Sequence, residues 1–134
     1  MAKSKQKNKR SVETQNLIEE AAETIQNCIR CGMCKSLCPV FKSVKEEELS
    51  PRGHSILLDQ KIINDLLFQC TLCKACEQKC PLNLKICTAI RNAREALVLE
   101  EKGLKSNKEM IKNTRETGSP FGKGKPDKDK LYCC

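Results

Sequence analysis

Residues 28–39 read CIRCGMCKSLCP, and residues 70–81 read CTLCKACEQKCP. Four cysteines and a proline keep the same spacing in both segments, and each member of the second set lies 42 residues after its counterpart in the first. The intervening positions hardly match, so what repeats is a frame of thiol groups. We refer to the two segments as the first and the second cysteine run. Such a frame predicts a fold organised around metal.

The spacing C-x2-C-x2-C-x3-C-P is the one with which two-cluster ferredoxins hold 4Fe–4S clusters. Three cysteines on one tight loop reach three iron corners of a cube, whereas the fourth begins a new helix and reaches the other cube. We therefore predict two 4Fe–4S clusters with crossed ligation. The first cluster is assigned to Cys28, Cys31, Cys34 and Cys80, and the second to Cys70, Cys73, Cys76 and Cys38.

The alternative interpretation of the cysteines is a zinc-stabilised basic binding module. Zinc sites usually combine two C-x2-C pairs that are separated by a longer stretch, with four ligands for each ion. Each run here has a third cysteine at the same short spacing and a proline after the fourth. The pattern therefore favours iron–sulfur clusters over zinc.

The composition also indicates that metal must stabilise this chain. Only 30 of the 134 residues are Leu, Ile, Val or Phe, and there is no tryptophan. A domain with so little apolar material usually needs disulfides or metal. The sequence shows no secretory signal and no apolar stretch long enough to span a membrane. We therefore expect a cytoplasmic protein, whose thiols are reduced and free to bind metal.

The net charge of +8 comes from the two ends of the chain. Residues 1–10 carry five basic and no acidic side chains, and residues 102–134 carry nine basic and four acidic ones. Residues 11–101 are mildly acidic, with 11 basic and 13 acidic side chains. Because aromatic side chains that would stack on bases are scarce, the basic ends do not indicate a nucleic-acid site.

The same segments predict the domain organisation. We expect a disordered basic arm over residues 1–11, a helical domain over residues 12–118 and an irregular, extended tail over residues 119–134. No catalytic role is predicted for Cys133 and Cys134 in that tail.

Apolar residues recur at helical spacing around the cysteine runs, and no segment shows the alternation of a strand. The predicted fold class is therefore all-α. The helices are expected from about 12 to 27, from Ser50-Pro51 to about Phe68, from Pro81 to about Lys102, and from a Ser106 capping box to about Gly118.

Three local matches connect the chain to a known family: Ser50-Pro51-Arg52-Gly53, Cys80-Pro81 followed by Leu84, Ile86, Ile90 and Arg94, and the segment Gly118-Ser119-Pro120-Phe121-Gly122. With the cysteine frame, they make residues 15–122 resemble the helical-ferredoxin domain, above all that of the C-type iron–sulfur subunit of heterodisulfide reductase. The same domain occurs in the iron–sulfur subunits of glycolate, lactate and glycerol-3-phosphate oxidation and in fumarate reductase-type subunits.

The resemblance implies a function in electron transfer inside a multi-subunit oxidoreductase, without catalysis by this chain alone. The expected partners are a heterodisulfide reductase B-like subunit with cysteine-rich CCG domains and an A-like subunit with flavin and iron–sulfur centres. Larger relatives carry CCG domains that this sequence lacks, so we expect the substrate chemistry on another polypeptide. The alternative is the iron–sulfur subunit of a lactate, glycolate or glycerol-3-phosphate dehydrogenase or of a thiol:fumarate reductase.

Other residues near the runs have simpler predicted roles. Cys87 is expected to be a spare, buried or half-buried thiol. His54, the only histidine, is expected at the surface or in a helix cap. Arg52 and Arg94 either orient loops near the clusters or are solvated charges, and the acidic segment 46–48 is expected to be a solvated loop.

The two runs also differ from each other. Gly32 lets backbone N–H groups approach the sulfurs closely, whereas its counterpart Lys74 is too large to do so, so we expect different surroundings for the two clusters. Met33 and Leu37 are expected to pack beside the first cluster and to keep water off its sulfurs.

Overall fold

The computed structural model describes residues 11–123, and over this range the chain is helical without any β-strand. The prediction of an all-α fold is therefore confirmed. Residues 1–10 of the predicted basic arm and residues 124–134 of the predicted tail, with Cys133 and Cys134, lie outside the described residues. No helix in the described range is long and apolar enough to cross a bilayer.

The described residues belong to two units, 11–102 and 103–123. The first unit contains five α-helices: α1 (Val12–Ile25), α2 (Pro39–Val44), α3 (Pro51–Asp59), α4 (Ala75–Lys79) and α5 (Ile86–Leu99). Three short 3-10 segments lie between them, over Met33–Leu37, Glu47–Leu49 and Asp65–Gln69. The second unit contains α6 (Lys105–Thr117). The predicted domain boundaries stay a prediction.

The apolar core lies where α1 packs along α5, with α3 against both helices. Small side chains at Ala21, Ala89 and Ala93 are fully buried in this contact and allow the helices to approach closely. Ile25 and Ile90 fill the space beside them, and burying each such side chain stabilises the fold by about 1.5–3 kcal/mol. The same core continues to Cys76 of the second cysteine run and to Cys87 at the start of α5.

Helix α3 is much shorter than the apolar periodicity predicts, because a Schellman motif ends it. The N–H of Ile62 donates to the carbonyl of Leu57 and the N–H of Lys61 to that of Leu58, both at 2.9 Å. Lys61 has the left-handed φ of 56° that this motif requires. Glycine usually occupies that position, so the lysine gave no sequence signal. The predicted helix to Phe68 is therefore wrong.

The same motif ends α5, a few residues before the predicted end. The N–H of Lys102 donates to the carbonyl of Leu97, and Glu101 has a φ of 59°. In the second unit α6 ends before Gly118, as predicted, with a left-handed Gly118. The predicted capping box is wrong, since the helix already begins at Lys105 and Ser106 lies inside it.

Candidate metal centres

The eight cysteines of the two runs line two cavities in the first unit. The first cavity has an empty volume of about 340 Å³ and the second of about 360 Å³, both counted out to the solvent. The cysteines of the first are Cys28, Cys31, Cys34 and Cys80. The first three cysteines of the second run and the last of the first run line the second cavity, namely Cys70, Cys73, Cys76 and Cys38. Each cavity thus receives three cysteines of one run and the fourth of the other, which is the grouping that crossed ligation requires.

The fourth cysteine of each run leaves its loop with the same backbone conformation. Cys38 has φ −72° and ψ 117°, and Cys80 has φ −74° and ψ 120°. In the first run this extended residue is the N-cap of α2, with Pro39 at the first helical position. The 3-10 segment of the first run packs against α4 of the second. This contact brings each extended cysteine to the cavity of the opposite run.

The backbone repeats with the same offset as the cysteines. Arg30 and its counterpart Leu72 have φ values of 57° and 54°, and Gly32 and its counterpart Lys74 have 80° and 63°. Left-handed conformations cost L-residues about 1–2 kcal/mol each, and such strain persists where surrounding structure fixes it, often at functional sites. Residues of this conformation form the concave nests of N–H groups that hold iron–sulfur sites. Gly32 and Lys74 therefore share a left-handed backbone, and the expected difference in the surroundings of the two clusters stays a prediction.

Backbone N–H groups already donate to two of the sulfurs in the second cavity. The N–H of Leu72 lies 3.4 Å from Cys70 Sγ, and the N–H of Phe41 lies 3.4 Å from Cys38 Sγ. Donors of this kind stabilise the negative charge of a thiolate ligand.

The electrostatics of the cavities agree with the grouping of the cysteines. Burial and, to a smaller extent, charge on Cys28, Cys31 and Cys80 together raise the pKa of the Cys34 thiol to about 11, although a backbone hydrogen bond lowers it. Burial likewise raises the pKa values of Cys70 and Cys76. Without metal these thiols are protonated at pH 7, so cation binding must release their protons. Four such soft ligands in each cavity fit a 4Fe–4S cluster.

Cys87 lies in the second cavity as a fifth thiol. It is 6% exposed, and its Sγ lies 4.0 Å from Cys76 Sγ. The prediction that Cys87 is buried is confirmed, and its being spare stays a prediction. Its backbone N–H donates to Glu77 Oε1 at 2.8 Å, which fixes the start of α5 beside α4.

His54 also lines the second cavity and is only 1% exposed. The predicted surface or capping role is therefore wrong, and the cap of α3 is the Ser50 hydroxyl, which accepts from Gly53 N–H at 2.9 Å. Burial, with the positive charge of Arg94 as the second cause, lowers the pKa of His54 to about 4. The sequence contains no signal for this burial, since the helical period alone does not say which face is covered.

Gly53 explains how α3 comes to place His54 there. A Cβ atom on Gly53 would lie 2.1 Å from the carbonyl oxygen of Glu47, so only glycine allows α3 to lie directly on the segment Glu47–Leu49. Because His54 follows Gly53 directly in α3, the same close approach brings His54 to the wall of the second cavity.

The two arginines orient loops at the cavities. Arg94 donates to the carbonyl oxygens of Leu67 and Cys70, so the solvated alternative is wrong for it. Arg52 lines the first cavity and donates to Glu47 Oε1 at 2.7 Å.

Glu47 links that arginine to the first run. Lys35, in the first run, donates to Oε2 of Glu47, which is the carboxylate oxygen that Arg52 does not use. Desolvation raises the pKa of Glu47, but hydrogen bonds from Lys35, Arg52 and Ser50 together lower it below its ordinary value. Glu46 and Glu48 are exposed, as predicted, whereas Glu47 is half-buried and paired with two basic side chains.

Apolar side chains surround the mouth of the first cavity. Ile29 and Leu82 line it and are 66% and 44% exposed, and we call these two residues the apolar collar. Met33 and Leu37, on the adjoining 3-10 segment, are exposed as well. Their predicted packing is wrong.

Comparison with known proteins finds similarity over the part of the chain that contains the two cysteine runs. Residues 24–84 match the 4Fe-4S dicluster domain. The C-type iron–sulfur subunit of CoB–CoM heterodisulfide reductase from Methanopyrus kandleri is 33% identical over 78 residues, which are 57% of this chain and 41% of that protein. The glycolate oxidase iron–sulfur subunit of Escherichia coli is 28% identical over 74 residues, 49% of this chain and 18% of that protein.

A third relative was not anticipated from the sequence. The alpha 1 subunit of the acetyl-CoA decarbonylase/synthase complex from Methanosarcina mazei is 30% identical over 86 residues, 63% of this chain and 10% of that protein. The chain spans less than half the length of each of these three relatives. Residues 24–84 of this chain therefore resemble a 4Fe-4S dicluster domain, and the chain is similar to the iron–sulfur subunits of a heterodisulfide reductase and a glycolate oxidase.

Proposed function

We propose that this chain is an electron-transfer subunit that binds two 4Fe–4S clusters. The first is ligated by Cys28, Cys31, Cys34 and Cys80, and the second by Cys70, Cys73, Cys76 and Cys38. The observation that carries the proposal is the crossed grouping of the cysteines in two cavities. A zinc module has no need to exchange its fourth ligand between two sites.

When bound, each cluster supplies a centre that accepts and releases one electron. The chain contributes the thiolates, the apolar walls and the amide donors that tolerate the added charge. Cys31 and Cys73, which are counterparts in the two runs, are exposed, whereas the other ligands are buried or half-buried. We therefore place the entry and the exit of electrons at these two sulfurs, one at each cavity.

Metal analysis after anaerobic purification tests this function directly. We expect a brown protein with about eight iron atoms for each chain, four for each cluster. Cys87→Ala serves as a control, because it removes a thiol from the second cavity without removing an assigned ligand. A colourless protein with about two zinc ions for each chain would overturn the proposal.

We place the chain in a heterodisulfide reductase-like complex, between an A-like flavin and iron–sulfur subunit and a B-like CCG-domain subunit. The support is its similarity to the C-type iron–sulfur subunit of a heterodisulfide reductase. The two cavity mouths also differ, since the apolar collar borders the first, whereas the exposed Thr71 and Lys74 lie at the second run. Two mouths of different chemistry suit two different partners.

We assign the apolar collar to the B-like subunit, because stable interfaces are richer in apolar surface than transient ones. Ile29→Glu or Leu82→Glu should abolish copurification of that subunit while both clusters remain. Val98→Glu is the matched control, since Val98 is an exposed apolar residue of α5 outside both cavities. Loss of the partner with the control variant as well would contradict the assignment.

The second candidate is the iron–sulfur subunit of an enzyme that oxidises a hydroxy acid. It is supported by the similarity to a protein named glycolate oxidase iron–sulfur subunit. An anaerobic pull-down separates the candidates, because it identifies either CCG-domain and A-like subunits or a flavoprotein dehydrogenase.

A further inference from the structure

His54 is a buried imidazole without a partner. Neither Nδ1 nor Nε2 has a hydrogen-bond partner among residues 11–123, and both atoms are inaccessible to solvent. An imidazole carries at least one N–H in either protonation state. Leaving that N–H buried and unpaired is unfavourable, and such groups in native proteins nearly always find an acceptor.

The walls of the second cavity offer few acceptors besides sulfur. Apart from the cysteines and His54, its lining consists of Val40, Leu49, Pro51, Thr71 and Ile90. Thr71 is the only one of these with a polar side chain, and it is exposed. The group that the four assigned ligands would hold is therefore the natural acceptor, since its sulfurs carry negative charge.

Among its lining residues the first cavity has no buried side-chain donor like His54. Its charged lining residues are Arg30 and Arg52. Arg30 donates to Asp59 Oδ2 at 2.8 Å, and Arg52 donates to Glu47 Oε1 at 2.7 Å. The cysteine repeat has an offset of 42 residues, so the counterpart of His54 is Ala96. Ala96 is buried on α5 and has no side-chain donor for the first cavity.

We propose that His54 is a positioning residue that donates a hydrogen bond from its imidazole ring to a sulfur of the cluster in the second cavity, and so raises the reduction potential of that cluster alone. Reduction adds one negative charge, and a donor to the sulfurs stabilises the more negative form. Gly53 makes this possible, because it lets α3 lie close to the segment Glu47–Leu49. The proposal rests on the cluster assignment made under the proposed function.

The test compares two variants of the full chain with both clusters loaded. His54→Leu removes the donor at similar volume, whereas His54→Gln keeps an N–H donor. We expect His54→Leu to shift the potential of the second-cavity cluster to more negative values and His54→Gln to restore part of the shift. The potential of the first-cavity cluster should not change in either variant.

Redox titration followed by electron paramagnetic resonance measures both potentials. The signal of the second cavity is identified with Cys73→Ser, which changes a ligand there. Ile90→Val is the packing control, because Ile90 is buried in the same cavity wall but has no donor. Pulsed resonance on wild-type protein that carries isotope-labelled histidine should in addition detect the ring nitrogen of His54, the only histidine, coupled to the second-cavity cluster, and this coupling should be absent from His54→Leu.

An unchanged potential in fully loaded His54→Leu protein overturns the inference, as does an equal shift in Ile90→Val. Should His54→Leu fail to fold, the pulsed measurement decides, and a wild-type spectrum without coupling to the labelled imidazole nitrogen overturns the inference. A wild-type protein that binds no iron–sulfur cluster ends the proposed function instead, so the two failures are distinguishable.

Discussion

Arg94 on α5 donates from Nε and Nη2 to the carbonyl oxygen of Leu67, at 2.9 and 2.7 Å, and its Nη2 also donates to the carbonyl of Cys70. The guanidinium carbon lies 5.6 Å from the centroid of the Phe68 ring. The half-buried Arg94 side chain therefore links α5 by hydrogen bonds to the backbone that precedes and begins the second cysteine run. The segment Asp65–Gln69 is held in place by this arginine as well as by its own turn.

Arg94→Lys should loosen the second run while leaving the first intact. Lysine has no planar fork and cannot make the same set of hydrogen bonds, and hydrogen bonds to a charged donor contribute about 1.5–3 kcal/mol each. We expect faster loss of the second-cavity cluster to an iron chelator. Arg91→Lys, on the exposed side of the same helix, is the control. Equal rates in the two variants would contradict this role.

Gly53→Ala should destabilise the first unit. The new Cβ would lie 2.1 Å from the carbonyl oxygen of Glu47, so α3 would have to move away from the segment beneath it. Overpacking of this kind costs about 1–3 kcal/mol or more. The temperature at which the visible absorption of the clusters disappears measures the effect.

Gly118→Ala is the control for Gly53→Ala, because a Cβ there meets no atom within 4 Å. Its left-handed φ of 71° still costs about 1–2 kcal/mol. That strain lies in the second unit, so it should leave the absorption of the clusters unchanged. A loss of the clusters at lower temperature in Gly118→Ala, equal to that in Gly53→Ala, would show that the close approach of α3 is unimportant.

The sequence was most informative where residue type and spacing dictate the chemistry. The 42-residue offset predicts which cysteines meet in each cavity, because three x2-spaced thiols share one loop and the fourth leaves it. The helix α1 was predicted within two residues, since its apolar periodicity is strong, whereas α5 begins at Ile86 rather than at Pro81.

The sequence was least informative where the backbone adopts a conformation that the residue type does not indicate. Lys61 and Glu101 occupy the left-handed position of Schellman motifs that usually have glycine, and the end of α3 was missed for that reason. The burial of His54 depends on the close approach at Gly53, which is a tertiary contact that no local pattern encodes.

Oxidation of the metal-free protein should join Cys76 to Cys87. Their sulfurs lie 4.0 Å apart, so a shift of about 2 Å forms the bond. Diamide takes up the two thiol hydrogens and is itself reduced to a hydrazine, and peptide mapping should find a fragment that links the two cysteines and lacks two hydrogens.

The resulting disulfide removes an assigned ligand, so oxidised protein should rebuild the first-cavity cluster but not the second. Cys87→Ala should abolish both the cross-link and this selective loss. A main cross-link between any other pair of cysteines would count against the arrangement.

Exchange of the fourth ligand between the runs can be tested with two matched pairs of variants. Cys31→Ser and Cys73→Ser each replace the exposed ligand of one cavity and identify the resonance signal of its cluster. Because Cys80 lines the first cavity and Cys38 the second, Cys80→Ser should change the signal that Cys31→Ser changes. Cys38→Ser should change the signal that Cys73→Ser changes. If Cys80→Ser alters the Cys73→Ser signal instead, each run holds its own cluster and the crossed scheme fails.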